Sequence, residues 1–385
     1  MLNKIKFAGG LAVAVTIFAV MIGISLKQRS QVDAVDHRDN SSDVQSITET
    51  LATAPQEASE FGPDTNPIPE IMPAIERNER RALQSGATTS QEDLVLLDSL
   101  DFDDVRDVEI DYDRTLLATA GGVLEFFYDD SSFAIYSYPQ NLLNYDCYAV
   151  LSVDDNILVG TSSGLYQIDL LGVVQPIVAE ITDTVTTLEN VEGCIYVGTR
   201  NQGLFQIEGN IVTQLLPNKH IIAVSDDEFA LWCATVEDGL LYRDDAGWHE
   251  RRLLNDQTAL DTVTALQSAF GKLWVGTPNG LFIYNGDNWQ RIDTTEYLFD
   301  ESVTSLAAGK SFMYIGTARE GVFAYYNGWL SPLDWSDNLP ITSLDIYDGK
   351  YLVGLNKGGA FLNTRKGVLD ILPLVRQSQG ILSNL

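Results

Sequence analysis

One pattern returns seven times between residues 116 and 362, and few architectures can absorb it. Each copy is an apolar run ending in Gly-Thr or a close variant, then a short turn, then Gly and a second apolar run. In order the copies read LLATAGGVLEFF (116–127), ILVGTSSGLYQI (157–168), IYVGTRNQGLFQI (195–207), LWCATVEDGLLY (231–242), LWVGTPNGLFIY (273–284), MYIGTAREGVFAY (313–325) and YLVGLNKGGAFL (351–362). The Thr position holds Thr119, Thr161, Thr199, Thr235, Thr277, Thr317 and Leu355, at steps of 42, 38, 36, 42, 40 and 38 residues. Seven units spaced this evenly are a repeat array.

The content of a unit decides strand over helix. In the copy from Val263 to Ile292, four strand-length pieces stand out: Val263–Gln267, Lys272–Thr277, Leu281–Tyr284 and Trp289–Ile292. Gly271, Pro278-Asn279-Gly280 and Asn285-Gly286 separate them. Val, Ile, Tyr, Trp and Thr suit a pleated sheet, and these punctuating residues suit chain reversal. Helical repeats need apolar spacing of about three to four over a longer stretch, and no copy has it. Strand-only units of this size are propeller blades.

The small residue before the Thr (Gly160, Gly198, Ala234, Gly276, Gly316) is expected where neighbouring blades crowd together. Gly122, Gly164, Gly203, Gly239, Gly280, Gly321 and Gly359 are expected at φ > 0 after a tight turn, with the Thr hydroxyl bonded inside that turn. Two ways of closing the ring are open. The last copy has its own outer strand at Val368–Leu372, or else Leu94–Leu97 adds to the last blade as a clasp.

The run LWVGTPNGLFIYNGDNW (273–289) resembles the two-component-regulator propeller repeat, and so do the preceding elements VTAL (263–266), VTSL (303–306) and ITSL (341–344). That repeat occurs in extracytoplasmic sensor regions of bacterial signalling proteins, and the likeness covers all seven units. It implies a sensing propeller outside a bacterial inner membrane. Such regions usually lead into a kinase or DNA-binding output, whereas this chain ends at Leu385, so that output is expected to be absent.

Upstream, the composition changes twice. Phe7 to Leu26 is twenty residues without a charge, enough as a helix to span about 30 Å of bilayer core. Lys4 and Lys6 precede it, and its end offers no small-x-small cleavage site, which favours a retained anchor over a signal peptide. Residues 27–92 are polar and acidic with few large apolar side chains, the composition of a flexible linker. Within it, Pro69 to Leu83 has weak amphipathic spacing. The expected organisation is a cytoplasmic N-terminus (1–6), a single-pass anchor (7–26), the linker (27–92), an all-β seven-bladed propeller of four-stranded antiparallel blades (93–376) and a C-terminal tail (377–385).

Charge narrows the partners. The chain carries 24 Lys+Arg against 54 Asp+Glu, a net −30, and most of that excess lies in the repeat region. Such a surface repels phosphate backbones and excludes nucleic acid as a partner class. The three cysteines, Cys147, Cys194 and Cys233, fall in strand runs of different units and read as small buried hydrophobes.

Chemistry is thinly written. His37, His220 and His249 have no metal-ligand spacing, and there is no nucleophile elbow or phosphate-binding glycine loop. Acidic clusters such as Asp101/Asp103/Asp104, Asp111/Asp113, Asp129/Asp130, Asp154/Asp155, Asp226/Asp227/Glu228 and Asp244/Asp245 sit at expected turns, where Asp favours local hydrogen bonds. Calcium is the cofactor they would suit, but none forms a calcium-loop motif, and no cofactor is expected.

A binding surface is expected where equivalent turns carry unlike side chains. After the Thr position these are Arg200-Asn201-Gln202, Glu237-Asp238, Pro278-Asn279, Arg319-Glu320 and Asn356-Lys357. Tyr136, Tyr138, Tyr145, Tyr297 and Trp335, on inter-blade connections, would add aromatics at the same end. Arg with aromatics suits protein or peptide contact. The sequence therefore reads as a non-catalytic, anchored scaffold or sensing module for envelope or membrane proteins. A hydrolase, a lyase or a glycan-binding module with its site at the channel mouth is the alternative.

Overall fold

The repeat folds because each unit supplies two apolar strands that cannot be covered within the unit itself. In the computed structural model, which describes residues 100–128, 132–137, 146–227, 230–251, 262–292 and 301–374, each unit is one antiparallel sheet of four strands in chain order. Blades 1 to 7 cover 105–136, 147–176, 185–217, 221–250, 265–292, 303–332 and 341–370. The second strands, such as Lys272–Thr277 and Met313–Thr317, are buried along nearly their whole length because another blade covers each face. Blade 5 matches the expected strands closely, its first strand running Ala265–Ala269. The expected anchor, linker, clasp at 94–97 and tail lie outside the described residues. No helix among the described residues is long and apolar enough to cross a membrane.

The crowding expected at the small residue has a definite geometry. A Cβ built on Gly160, Gly198, Gly276 or Gly316 would lie 2.6–2.7 Å from a methyl of Val185, Ile221, Val303 or Ile341, the first residue of the next blade's inner strand. At these four joints a blade thus drives an apolar knob into a hole its predecessor leaves by having no side chain there, whereas Ala118 and Ala234 place a methyl at that position. Gly354 of blade 7 receives Val105 of blade 1 in the same way, with Val105 Cγ1 at 2.6 Å. The ring therefore closes by the joint used elsewhere, and Gly367–Asp370 completes blade 7 from its own chain. That outer strand ends two residues before the expected Leu372. Ile371 and Leu372 instead enter a helical turn and bury against Phe102 and Val105.

The residue after the knob adds a hydroxyl latch at three joints. Thr186 donates to Ile221 O at 2.6 Å, Thr264 to Val303 O at 2.5 Å, and Thr342 to Val105 O across the closing joint at 2.7 Å. In six blades a register shift at this residue re-aims it. The VT and IT pairs of the sequence are this knob and latch.

The repeat Thr closes the turn after the second strand. Thr277 Oγ1 donates to Gly280 O at 2.9 Å and accepts from Asn279 N at 3.2 Å, and Thr119, Thr161, Thr235 and Thr317 bond in the same two-way fashion. The following glycine takes φ > 0 in all seven blades, and at Gly203 a Cβ would stand 1.8 Å from Leu216 O, so no other residue fits. Replacing Thr277 with Val removes both bonds at nearly constant volume. It should cost about 1 kcal/mol, a fall in Tm of roughly 2–4 °C by thermal unfolding.

Candidate functional site

Topology puts two kinds of loop at each end of the ring. Turns after the second strand share one end with the inter-blade connections, and turns after the first and third strands share the other. The residues expected to bind lie at the first end, as the sequence implied, and are largely tied to their own blade. Asn201 donates its backbone and side-chain N–H groups to Asp183. Burial of Asp183 works to raise its carboxyl, but the donors of Asn201, Thr184 and Gln202 outweigh it and hold the group below its ordinary range. Glu237 accepts from His220 N, Asp238 pairs with Lys219 at 2.6 Å, and Arg319 pairs with Glu301 at 2.7 Å. Asn279 O accepts from Arg291, and Glu320 N donates to Thr317 Oγ1.

Arg200 is exposed and faces the Tyr148 ring at 5.5 Å, which also takes Arg106 at 4.2 Å. Lys357 is exposed at the blade 7 turn. Trp335 is half-buried and packs against the core between blades 6 and 7, 6.5 Å from Tyr351, and Tyr136 is buried against Glu125. Tyr138, Tyr145 and Tyr297 lie outside the described residues. No hydrogen bond among the described residues joins two of the expected binding residues to each other.

A groove lies at the opposite end. About 1220 Å³ in volume, it crosses blades 3, 4 and 5, walled by their turns after the first and third strands. Its floor is aromatic: the Trp232 ring lies 5.3 Å from Tyr242 and 5.8 Å from Tyr284. Trp232 Nε1 donates to Asp227 at 2.8 Å, which fixes the indole. Glu192, Glu208, Asp226, Asp227 and Asp244 give the walls a negative field, with Arg251 and Lys272 on the blade 5 side. Arg251 lies 4.5 Å over the Tyr284 ring and donates to its hydroxyl. Burial, and then the charges of Asp227 and Glu192, push the Asp226 carboxyl above its ordinary range. Ser268 Oγ is buried at this groove with no hydrogen-bond partner.

A second polar cluster lines the central channel. Asp107, Glu109, Glu189 and Asp345 stand on inner strands, whose outward amides have no sheet partner. Three of the four carboxylates accept such amides from the next blade: Asp107 from Val150 N, Glu109 from Ser152 N, and Asp345 from Ile110 N. Burial, reinforced by repulsion from neighbouring carboxylates, pushes Asp107 and Glu189 up to about 7 and Asp345 up to about 6, and raises Glu109 well above its ordinary value. Among the described residues no three His, Cys, Asp or Glu side chains are arranged to hold a metal ion. Several clustered acids do turn chemistry, as Asp101 does for Asp104 N, Asp227 for Ala230 N and Asp244 for Ala246 N. Cys147 and Cys233 are buried free thiols, pushed up to about 12 by that burial.

Solved structures share this architecture. The extracellular domain of BT4673 from B. thetaiotaomicron, described as a one-component and as a hybrid two-component system, superposes with a TM-score of 0.57 at 17–18% identity. The match covers 68% of this chain and 38% of that one. PorZ, an essential surface component of the type-IX secretion system of Porphyromonas gingivalis, gives 0.54 at 12% identity, covering 68% and 37%. Streptogramin B lyase gives 0.54 at 12%, covering 68% and 92%. Likeness at this identity is likeness of fold. No protein-family model and no curated protein matches the sequence.

Proposed function

We propose that this propeller is a binding or sensing module, held outside a bacterial inner membrane by residues 7–26, that engages a basic segment of an envelope or membrane protein. The observation that carries the reading is the groove across blades 3 to 5. It joins an aromatic floor to five carboxylates, on a chain whose net charge of −30 already draws cationic partners. The aromatic rings contact the aliphatic stems of Lys or Arg side chains, while Glu192 and Glu208 at the exposed rim meet their charges. The resemblance to sensor propeller repeats and the likeness of fold to the BT4673 extracellular domain support a sensing location and role.

Cross-linking of the full chain in its native membrane, followed by mapping of the linked segment, tests this. The captured segment is expected to carry Lys or Arg, and Glu192→Lys with Glu208→Lys to reduce capture roughly tenfold. Undiminished capture by that double variant sinks the reading. A second reading, a propeller hydrolase or lyase, has one observation in its favour. Glu189, pushed up to about 7, faces the channel in the range a general acid needs. Turnover of any glycan or ester panel that Glu189→Gln abolishes would establish it.

A further inference from the structure

A separate groove of about 570 Å³ lies between blades 5 and 6, at the same end of the ring as the acidic one. Its chemistry is inverted. Lys272 stands on one wall and Lys310 on the other, and no carboxylate lines it, in a chain with 54 acidic residues against 24 basic. Lys310 pairs with Asp348 at 3.1 Å, but both are exposed, and such a pair yields readily to a competing anion. Buried Trp274 and Met313 form the floor, with Phe270 and Tyr326 at the rim, 47% exposed each. Across its hairpin from Tyr326, Trp329 is 78% exposed.

Phe270 is the telling residue. It opens a two-residue hairpin between Ala269 and Lys272, with φ 57° at Phe270 and 66° at Gly271. A loop with both φ positive favours Asn or Asp at its first position, and a bulky side chain there is strained. The corresponding positions in blades 2, 3 and 7 hold Asp154, Glu192 and Asp348, at φ 53°, 51° and 46°. Only here, among these four hairpins, is a large aromatic held both in the left-handed region and in water. Folding gains nothing from either condition, whereas a ligand would.

We propose that this groove docks an acidic peptide segment carrying a large apolar side chain beside its carboxylates. The apolar side chain enters between Phe270 and Tyr326, and the carboxylates meet Lys272 and Lys310. The concave shape and buried floor favour a peptide over a flat lipid surface. The two grooves share Lys272, and the partner of this one has the opposite charge.

Panning a random peptide library on the full chain tests it, with Phe270→Asn and Lys310→Glu as counter-selections. Enriched sequences should be net acidic with at least one Trp, Phe, Tyr or Leu, and each substitution should weaken their binding roughly tenfold. Phe270→Asn should also raise Tm by about 1–3 °C, so misfolding cannot explain its loss of binding. The proposal is overturned if no acidic family is enriched, or if acidic peptides bind both variants as well as the parent. It is also overturned if only vesicles of anionic lipid bind in a Phe270-dependent way. Loss on Glu192→Lys with Glu208→Lys alone would report the other groove.

Discussion

Gly354→Val should open the ring. A Cβ at residue 354 would stand 2.6 Å from Val105 Cγ1, 2.7 Å from Ser343 Oγ and 3.1 Å from Val108 Cγ1, before either valine methyl is placed. Val105 is wholly buried and Ser343 nearly so, which leaves no room for a small retreat. Overpacking of this kind costs on the order of 2–3 kcal/mol, a fall in Tm of roughly 5–10 °C for a domain of this size. The joint joins the first blade to the last, so the latch from Thr342 to Val105 O should fail with it. Hydrogen exchange should then rise first along Val105–Ile110 and Ile341–Tyr347, ahead of the middle blades. Gly354→Ala adds that same close Cβ but neither methyl, so it should cost only part of this penalty and give a smaller fall in Tm. Unchanged melting and exchange in Gly354→Val would mean that the ring is held shut by something else.

The joint was half legible in the sequence. Small residues before the Thr position, and Val or Ile at or just before the inner strand in six of the seven blades, can be read from the repeat. That one fills the vacancy left by the other, across a blade boundary, needs the radial geometry. Ring closure was not legible, because Gly354 and Val105 lie at opposite ends of the repeat region and nothing local marks them as partners. The turn chemistry was fully legible, since Thr, a short turn and Gly act within one hairpin.

The expected binding residues and the acidic groove lie at opposite ends of the ring. Unlike side chains at equivalent turns can be read from the sequence, but their local partners cannot: Asn201, Glu237, Asp238 and Arg319 are engaged by Asp183, His220, Lys219 and Glu301 of their own connections. Those partners vary along with the turns. At the other end one signal was available and unused. Phe270 precedes a hairpin glycine where blades 3 and 7 place Glu192 and Asp348, and a hydrophobic residue at a polar position is visible without coordinates. The carboxylate pairing inside the channel had no such signal, because Asp107, Glu189 and Asp345 meet only when blades 1, 3 and 7 surround one axis.

Those channel carboxylates should make the protein more stable in mild acid than at neutral pH. Unfolded, an Asp or Glu titrates near 4. Folded, Asp107 and Glu189 titrate near 7 and Asp345 near 6, with burial as the main cause. Between about pH 4 and pH 7 the folded chain therefore holds protons that the unfolded chain has released, so unfolding free energy falls as pH rises through that window. The stabilisation is complete below the unfolded values and lost above the folded ones. Asp183, held low in the folded chain, works the other way at lower pH, which sets a stability maximum near pH 4. Discounted for water in the channel, the set should be worth on the order of 2–4 kcal/mol, or roughly 5–10 °C in Tm between pH 8 and pH 5. Two substitutions separate this cause from the general acidity of the surface. Glu189→Gln removes a channel charge where no amide bond depends on it, and should raise Tm at pH 8 while shrinking the pH dependence. Asp107→Asn should lower Tm instead, because both carboxylate oxygens accept backbone amides, from Val108 and Val150, and an amide side chain can satisfy only one. Thermal unfolding followed from pH 5 to pH 8 decides the matter. A Tm that is flat or rises toward pH 8 would mean that the channel carboxylates are charged without penalty, and that water or a bound cation solvates them there.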